Sequence, residues 1–300
     1  MLKSMEDLVE EAKSGPVCRA VVPGAAGREV LGSLRRAEEE GILRPYLVGG
    51  AERIEELARE VGLKTSDERI IPADDDGEIC RKAVKLLADD EADIMMKGLV
   101  STSTLMKEVL KGEHNLRRDK LISHLVLAQV PALDRLIFIS DGGMNIKPTL
   151  EEKAAIIQNA IDAARRLGWR EPRVAVMAAV EKPREAMPET IDAAVLSKMG
   201  DRGQISGGIV EGPYALDNAL SSEAADIKGL EGPVAGQADI LITPEIAAGN
   251  LLGKSVIHLA GGEFAALLGG TRKPIVVTSR SDSARVRFIS LAAAVVMSGG

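Results

Sequence analysis

A chain of 300 residues exceeds what one hydrophobic core usually organises, so two domains are expected. A net charge of −7 and an aromatic content of 2% exclude a broad nucleic-acid footprint, which needs a basic surface or stacking platforms. The 45% hydrophobic content must come from Val, Ile, Leu, Ala and Met, the residues expected of parallel strands covered by helices.

The segment Met1–Ala12 carries Glu6, Asp7, Glu10 and Glu11 within its apolar pattern and does not read as a signal peptide. No run approaches the eighteen apolar residues of a membrane span. Short β-rich runs then alternate with helical patterns. Strands are expected at Arg19–Val22, Pro45–Val48, Arg69–Ile71, Asp93–Met96, Leu136–Ile139, Val174–Ala178, Gly208–Val210, Asp239–Ile242, Val256–Leu259 and Ile275–Thr278. Helices are expected at Arg28–Glu40, Glu52–Val61 and Glu78–Ala88. Strand and helix in rotation read as α/β with a largely parallel sheet. The best-marked helix follows Thr149, where Thr149 and Glu152 form a capping box, and Leu150, Ala154, Ile157, Ile161 and Ala164 share one face until Gly168. The polar stretch Lys111–Lys120 is the expected crossing between domains.

Several motifs have plain structural readings. Ala248 to Ser255 is one residue away from a phosphate-binding P-loop, but it leads into the expected strand Val256–Leu259 instead of following a strand. It reads as a helix-to-strand turn with Gly253 as the C-cap, and His258 reads as a core residue of that strand. Pro23-Gly24-Ala25-Ala26-Gly27 follows a strand and opens a helix, but lacks the glycine spacing and ribose-binding acid of a dinucleotide site. The histidines His114, His124 and His258 are scattered, and no metal site is expected. Asp74-Asp75-Asp76 reads as a solvated turn and helix start. Two cysteines, Cys18 and Cys80, fit a reducing compartment and a buried structural role, so the protein is expected in the cytoplasm.

Four segments place small or polar residues just after a strand, where open α/β sheets bind ligands. Met95 to Thr104 ends a strand with Lys97 and Gly98, then presents hydroxyls at a helix start, a combination suited to an anion. Val210 to Ala219 turns through Gly212-Pro213 into a short helix carrying Asp217. Thr243 to Asn250 follows another strand. Thr278-Ser279-Arg280-Ser281-Asp282-Ser283 puts hydroxyls, an acid and an arginine at one strand end, more than helix capping needs.

In this order the four segments resemble the phosphate acetyl/butyryltransferase family, more closely its butyryl branch. The resemblance runs over nearly the whole chain. It is strongest from Met95 to Thr104, from Ser140-Asp141-Gly142-Gly143 through the Thr149 helix, and from Gly208 onward.

The resemblance implies two Rossmann-like three-layer αβα domains of the isocitrate/isopropylmalate dehydrogenase-like superfold, with an interdomain cleft. The first would span 1–127 plus 283–300 and the second 128–282, making Ser279–Ser283 a crossing point. It also implies reversible transfer of a butyryl or acetyl group from acyl-CoA to inorganic phosphate by direct attack in a ternary complex. Coenzyme A would be substrate or product, with no bound cofactor, no metal, no nucleic-acid or membrane partner, and a homodimer or higher homo-oligomer.

On the matching positions, Ser279, Arg280 and Asp282 would be catalytic. Lys97, Gly98, Ser101, Thr102, Lys107, Asp217 and Asn250 would bind the phosphate or acyl end, and Arg280, Ser283, Arg285 and Arg287 would bind CoA. The chain departs from the acetyl branch in several places. Lys107 stands where that branch has a phosphate-binding arginine, and Glu211-Gly212-Pro213 replaces Asp-Gly-Pro. Val276-Val277-Thr278 precedes the Ser-Arg pair in place of Asn-Asp-Leu, and Asp282 is the nearest substitute for an acid several residues past that pair. Two other readings are an NAD- and metal-dependent decarboxylating dehydrogenase of related fold and a non-catalytic acyl-CoA binding protein.

Overall fold

The structure, a computed structural model, describes residues 2–118 and 121–299. The chain opens with α1 (Met5–Ser14), β1 (Cys18–Pro23), α2 (Arg28–Glu39), β2 (Leu43–Gly49), α3 (Ala51–Val61), β3 (Ile70–Pro72), α4 (Asp76–Ala88), β4 (Ile94–Met96) and α5 (Thr102–Val109). It continues with β5 (Ser123–Gln129), β6 (Leu136–Ser140), α6 (Leu150–Arg166), β7 (Arg173–Met177), α7 (Pro188–Asp201), β8 (Ile209–Tyr214), α8 (Leu216–Leu220), α9 (Ser222–Ile227), β9 (Ile240–Ile242) and α10 (Ile246–His258). It closes with β10 (Glu263–Gly269), β11 (Ile275–Val276) and α11 (Ala284–Ser298). The fold is mixed α/β, as the rotation of strand and helix patterns implied.

Contacts divide the chain into two compact units, Met5–Arg118 with Ala265–Gly300, and Met1–Ser4 with Asp119–Phe264. The changeovers fall earlier than boundaries after 127 and 282 would put them. The reason is strand pairing: β5 pairs with β6, whereas β11 pairs with β4 and β10 with β11. The turn at Ser279–Ser283 accordingly lies inside one unit and is not a crossing point. The expected crossing at Lys111–Lys120 ends on residues 119–120, which lie outside the described residues.

In the unit that holds both chain ends of this pairing, the strand order is β3-β2-β1-β4-β11-β10. All neighbours are parallel except β10 and β11. The order reverses between β1 and β4, which is where a doubly wound sheet opens a crevice at its carboxyl ends. Apolar side chains fill the strands on both faces, and α11 is buried on nearly every side, as expected of a helix that is hydrophobic all round. In the other unit the order is β5-β6-β9-β7-β8, with β9 inserted between β6 and β7. The capping box of α6 is formed, with Thr149 accepting from the Glu152 N–H and Glu152 accepting from the Thr149 N–H.

Three local readings of the sequence are corrected. Val256–Leu259 is not a strand: α10 runs through Gly253 to His258, so Gly253 caps nothing and His258 is exposed at a helix end. Glycine read as a stop signal here because its usual role is to end helices. In this helix, Gly249 and Gly253 lie one turn apart, and it is Gly249 that lets the backbone approach a neighbour closely. A Cβ on Gly249 would stand 2.3 Å from the Asp141 carbonyl oxygen, whereas one on Gly253 would meet only Val126 at 3.7 Å. Two strands, β5 and β10, were not read. β10 has the Ala- and Leu-rich composition of a helix, and its antiparallel pairing with β11 overrides that preference.

The two glycines give opposite expectations in thermal or urea unfolding. Gly249→Ala is expected to destabilise by roughly 1–3 kcal/mol through overpacking. Gly253→Ala is expected to be neutral or to stabilise by up to about 1 kcal/mol, since alanine lowers the entropy cost in a helix interior. A strongly destabilised Gly253→Ala protein would contradict the continuous α10.

Candidate active site at the carboxyl ends of the strands

β1 and β4 end side by side, and the turns that follow them interlock. Gly24 has φ of 71°, and a Cβ there would lie 2.8 Å from the Val100 nitrogen. On Gly98 a Cβ would lie 2.2 Å from the Gly24 carbonyl oxygen. The Gly98 N–H donates to Pro23 and the Leu99 N–H to Gly24, at 2.9 and 2.8 Å. Backbone therefore lies on backbone at the switch point of the sheet, which only glycine at both positions allows.

Lys97 enters this junction from β4 and is 3% exposed. Its ammonium donates to the carbonyl oxygens of Gly98 and Val100, at 3.2 and 3.3 Å. Burial holds its pKa below the usual 10.5, and the guanidiniums of Arg287 and Arg280 push it further down, with Asp282 opposing. Lys97 thus senses the charges of the Ser279 turn. Ser101 caps α5, accepting from the Thr104 N–H at 3.0 Å, while its own N–H reaches Asp76 at 3.3 Å. Thr102 is the first residue of α5, where helix N–H groups favour an anion. Lys107 stands in the last turn of the same helix, exposed, so the helix separates it from Ser101 and Thr102.

β11 lies parallel to β4 and delivers the second half of the site. Beyond it the Ser279 N–H donates to Asp282 Oδ2 at 2.7 Å, and the Asp282 N–H returns to the Ser279 carbonyl at 3.2 Å. Asp282 is 8% exposed, whereas Ser279 and Arg280 are exposed and Ser279 Oγ lies 3.0 Å from Ser281 Oγ. Ser283 caps α11, accepting from the Val286 N–H at 3.3 Å. Arg285 pairs with Glu6 at 2.9 Å. Arg287 is 1% exposed and donates to Thr278 Oγ1 at 2.5 Å and to the Ser279 carbonyl oxygen at 2.8 Å. Burial lowers the pKa of its guanidinium, with Asp282 and Glu29 opposing. Because α11 is buried on nearly all sides, Arg287 does not lie on a solvated face, and the expectation that it meets CoA phosphates does not fit its position.

The fold therefore brings Lys97, Gly98, Ser101 and Thr102 to the same strand ends as Ser279, Arg280, Asp282 and Ser283. Asp217 and Asn250 belong to the other unit. Asp217 lies in α8, paired with Lys228 at 3.0 Å. Asn250 is exposed on α10 and donates to the Gly142 carbonyl at 3.0 Å. The loop it touches is organised by Asp141, a residue with no role assigned from sequence. Its buried carboxylate accepts from the N–H groups of His124, Gly143 and Met144, at 2.8–3.0 Å, and from Asn145 Nδ2 at 2.6 Å. The run Asp-Gly-Gly directly after a strand was the available signal. Glu211 accepts from Tyr214 Oη at 2.9 Å and from the Val234 N–H at 3.3 Å, so its longer side chain holds the 232–234 loop.

His114, read as isolated, does meet carboxylates. Its Nε2 lies 3.0 Å from Glu108 and 3.7 Å from Glu113, while Lys111 also pairs with Glu108. Cys18 and Cys80 are free and buried, and burial pushes the Cys80 thiol up to about 11, which leaves it inert at neutral pH.

With this geometry in view, comparison with known proteins is decisive. The family model described as phosphate acetyl/butaryl transferase matches residues 76–295, a span that holds both halves of the site. The chain belongs to this family. A phosphate butyryltransferase of Clostridium beijerinckii is 40% identical over 297 residues, covering 99% of this chain and 98% of that one. A phosphate acetyltransferase of Rhizobium meliloti is 41% identical over 287 residues, covering 96% and 91%. Among solved structures, a branched-chain phosphotransacylase from Enterococcus faecalis superposes with a TM-score of 0.83 at 30% identity, covering 94% of this chain and 99% of that one. Family membership makes the chain an enzyme, an acyltransferase, and removes the dehydrogenase and non-catalytic readings.

The buried Lys97 has a consequence for stability. Its pKa is lower in the folded state than the 10.5 restored on unfolding, so between those values the unfolded chain holds the extra proton and stability rises with pH. Lys97→Met is expected to lack that rise. In urea melts from neutral to alkaline pH, the wild type should gain on the variant across the window; a constant difference would place Lys97 in water.

Proposed function

We propose that the site transfers a short acyl group reversibly between coenzyme A and inorganic phosphate, by direct attack in a ternary complex. The observation that carries this reading is the Ser279 turn. An exposed hydroxyl and the Arg280 guanidinium stand on a turn pinned by Asp282, beside buried positive charge and the start of α5. A phosphate oxygen attacks the thioester carbonyl carbon, the C–O bond forms, the C–S bond breaks, and the thiolate leaves to take a proton. In the reverse direction the thiol sulfur attacks the acyl phosphate and the phosphate leaves.

In this reading Ser279 donates its hydroxyl to the reacting carbonyl oxygen or the departing sulfur. A donor of that kind is worth roughly 3–4 kcal/mol where one has been removed from other enzymes. Arg280 binds phosphate or the CoA phosphates, with Ser283 and Arg285 on the CoA side. Ser101 and Thr102 present helix N–H groups and hydroxyls to the phosphoryl end, Gly98 lets the loop before them pack against Gly24, and Lys97 supplies positive potential from below. Asp282, buried and bonded to the Ser279 N–H, sets the direction of that hydroxyl and supplies a carboxylate in the same turn. Holding both substrates together supplies the larger part of the rate through proximity.

Each unit serves as one Rossmann-like αβα domain, and Asn250 and Asp217 contribute to binding the phosphate or acyl end. The protein works as a homodimer or higher homo-oligomer in the cytoplasm, without a bound cofactor. Among the described residues no helix is long and apolar enough to cross a membrane.

The decisive assay follows thiol release from acetyl-, propionyl-, butyryl- and isobutyryl-CoA with and without phosphate. Release is expected only with phosphate, and one methylene should change the preference by only about 1–3 kcal/mol. CoA binding in calorimetry without phosphate-dependent release would overturn the reading. Ser279→Ala is expected to lower kcat by more than about tenfold with an unchanged unfolding curve; a full-rate variant removes Ser279 from the mechanism.

A further inference from the structure

Arg287 has an environment that neither a surface CoA contact nor ordinary packing explains. It sits in the first turn of α11, sealed from water, and among the described residues it forms no ion pair with a carboxylate. A buried guanidinium is costly to desolvate unless its donors are used. Two of its nitrogens meet that need on the same stretch of chain: Nη1 at Thr278 Oγ1 and Nη2 at the Ser279 carbonyl oxygen. Its Nε has no hydrogen-bond partner among the described residues. Meanwhile the Ser279 N–H is taken by Asp282. Both main-chain groups of Ser279 are therefore fixed from inside the protein, and the hydroxyl is the polar group that the residue presents outward.

We propose that Arg287 is a positioning residue, which holds the Thr278–Ser279 peptide so that the Ser279 hydroxyl faces the reacting carbonyl. The inference rests on the assignment of Ser279 above. Arg287 touches no substrate; it acts through the backbone of Ser279. A lysine cannot take its place, because an ammonium on a flexible stem lacks the planar fork that reaches two acceptors at once. Arg287 is the fourth residue of α11, about one turn from its start, so the packed helix transmits order directly to the exposed turn that precedes it.

The test is a kinetic cycle on the full chain, using butyryl-CoA and phosphate, with Arg287→Lys, Thr278→Val, Ser279→Ala and the Arg287→Lys/Ser279→Ala double variant. Arg287→Lys is expected to lower kcat about tenfold or more while KM for the thioester moves less than about threefold. Thr278→Val, which keeps the arginine and removes one acceptor, should change kcat in the same direction by a smaller factor. In the Ser279→Ala background, Arg287→Lys should cost less than about twofold, since the hydroxyl it orients is gone.

A raised KM with kcat retained would make Arg287 a CoA contact and overturn the proposal. So would losses that multiply in the double variant. Should Arg287→Lys fail to fold by circular dichroism, the Thr278→Val and Ser279→Ala pair completes the same cycle, with the same outcomes. A full-rate Ser279→Ala enzyme would instead sink the assignment of Ser279 itself. That failure is distinct, because it is read from the single variant before any coupling is measured.

Discussion

Two cations are held out of water at the carboxyl ends of adjacent parallel strands, and the candidate site is built around them. Lys97 and Arg287 are both nearly inaccessible; Lys97 donates to the carbonyl oxygens of Gly98 and Val100, and Arg287 to the Thr278 hydroxyl and the Ser279 carbonyl oxygen. Lys97 ties the loop after β4; Arg287 ties the end of β11. Asp282 is the buried carboxylate that both sense, so the junction carries an excess of positive charge that a phosphate group can complete. Desolvation makes such an arrangement expensive in a free protein; under the proposed function the same desolvation would strengthen its hold on a phosphate.

The close approach of backbone to backbone lets that charge sit where it does. Gly98 lies against Gly24 at the point where the strand order reverses, with two main-chain hydrogen bonds across the contact. Any side chain at Gly98 would lift the loop away from β1 and change the start of α5. The other unit solves a similar problem in a similar way. Gly249 admits α10 to the Asp141 loop, and the Asp141 carboxylate gathers the N–H groups of that loop. In both units a glycine sets the approach and a buried charge orders the turn.

The division of labour within the Ser279 turn follows from burial. Ser279 and Arg280 are exposed, as the proposed contact with substrate requires, while buried Asp282 and Arg287 hold the main chain. Their types alone do not separate these roles. Arg285 and Arg287 are two residues apart on one helix, yet one pairs with Glu6 near the surface and the other is enclosed. Helical geometry places residues two apart on different faces, and α11 is covered on most of its circumference.

The sequence by itself determined the α/β class, most of the strands, the capped helix after Thr149 and the four loops at strand ends that carry the family resemblance. These follow from local rules: β-branched runs, capping residues, and glycine or proline after a strand. Tertiary structure alone decided the rest. It made α10 continuous through Gly253, where the backbone stays helical and the glycine ends nothing. It turned the Ala- and Leu-rich β10 into a strand by pairing it with β11, and it moved the expected domain boundaries by the same pairing. It also buried Arg287 and left Arg280 exposed. Pairing partners and burial are set by residues distant in sequence, and no local pattern encodes which arginine will lose its water.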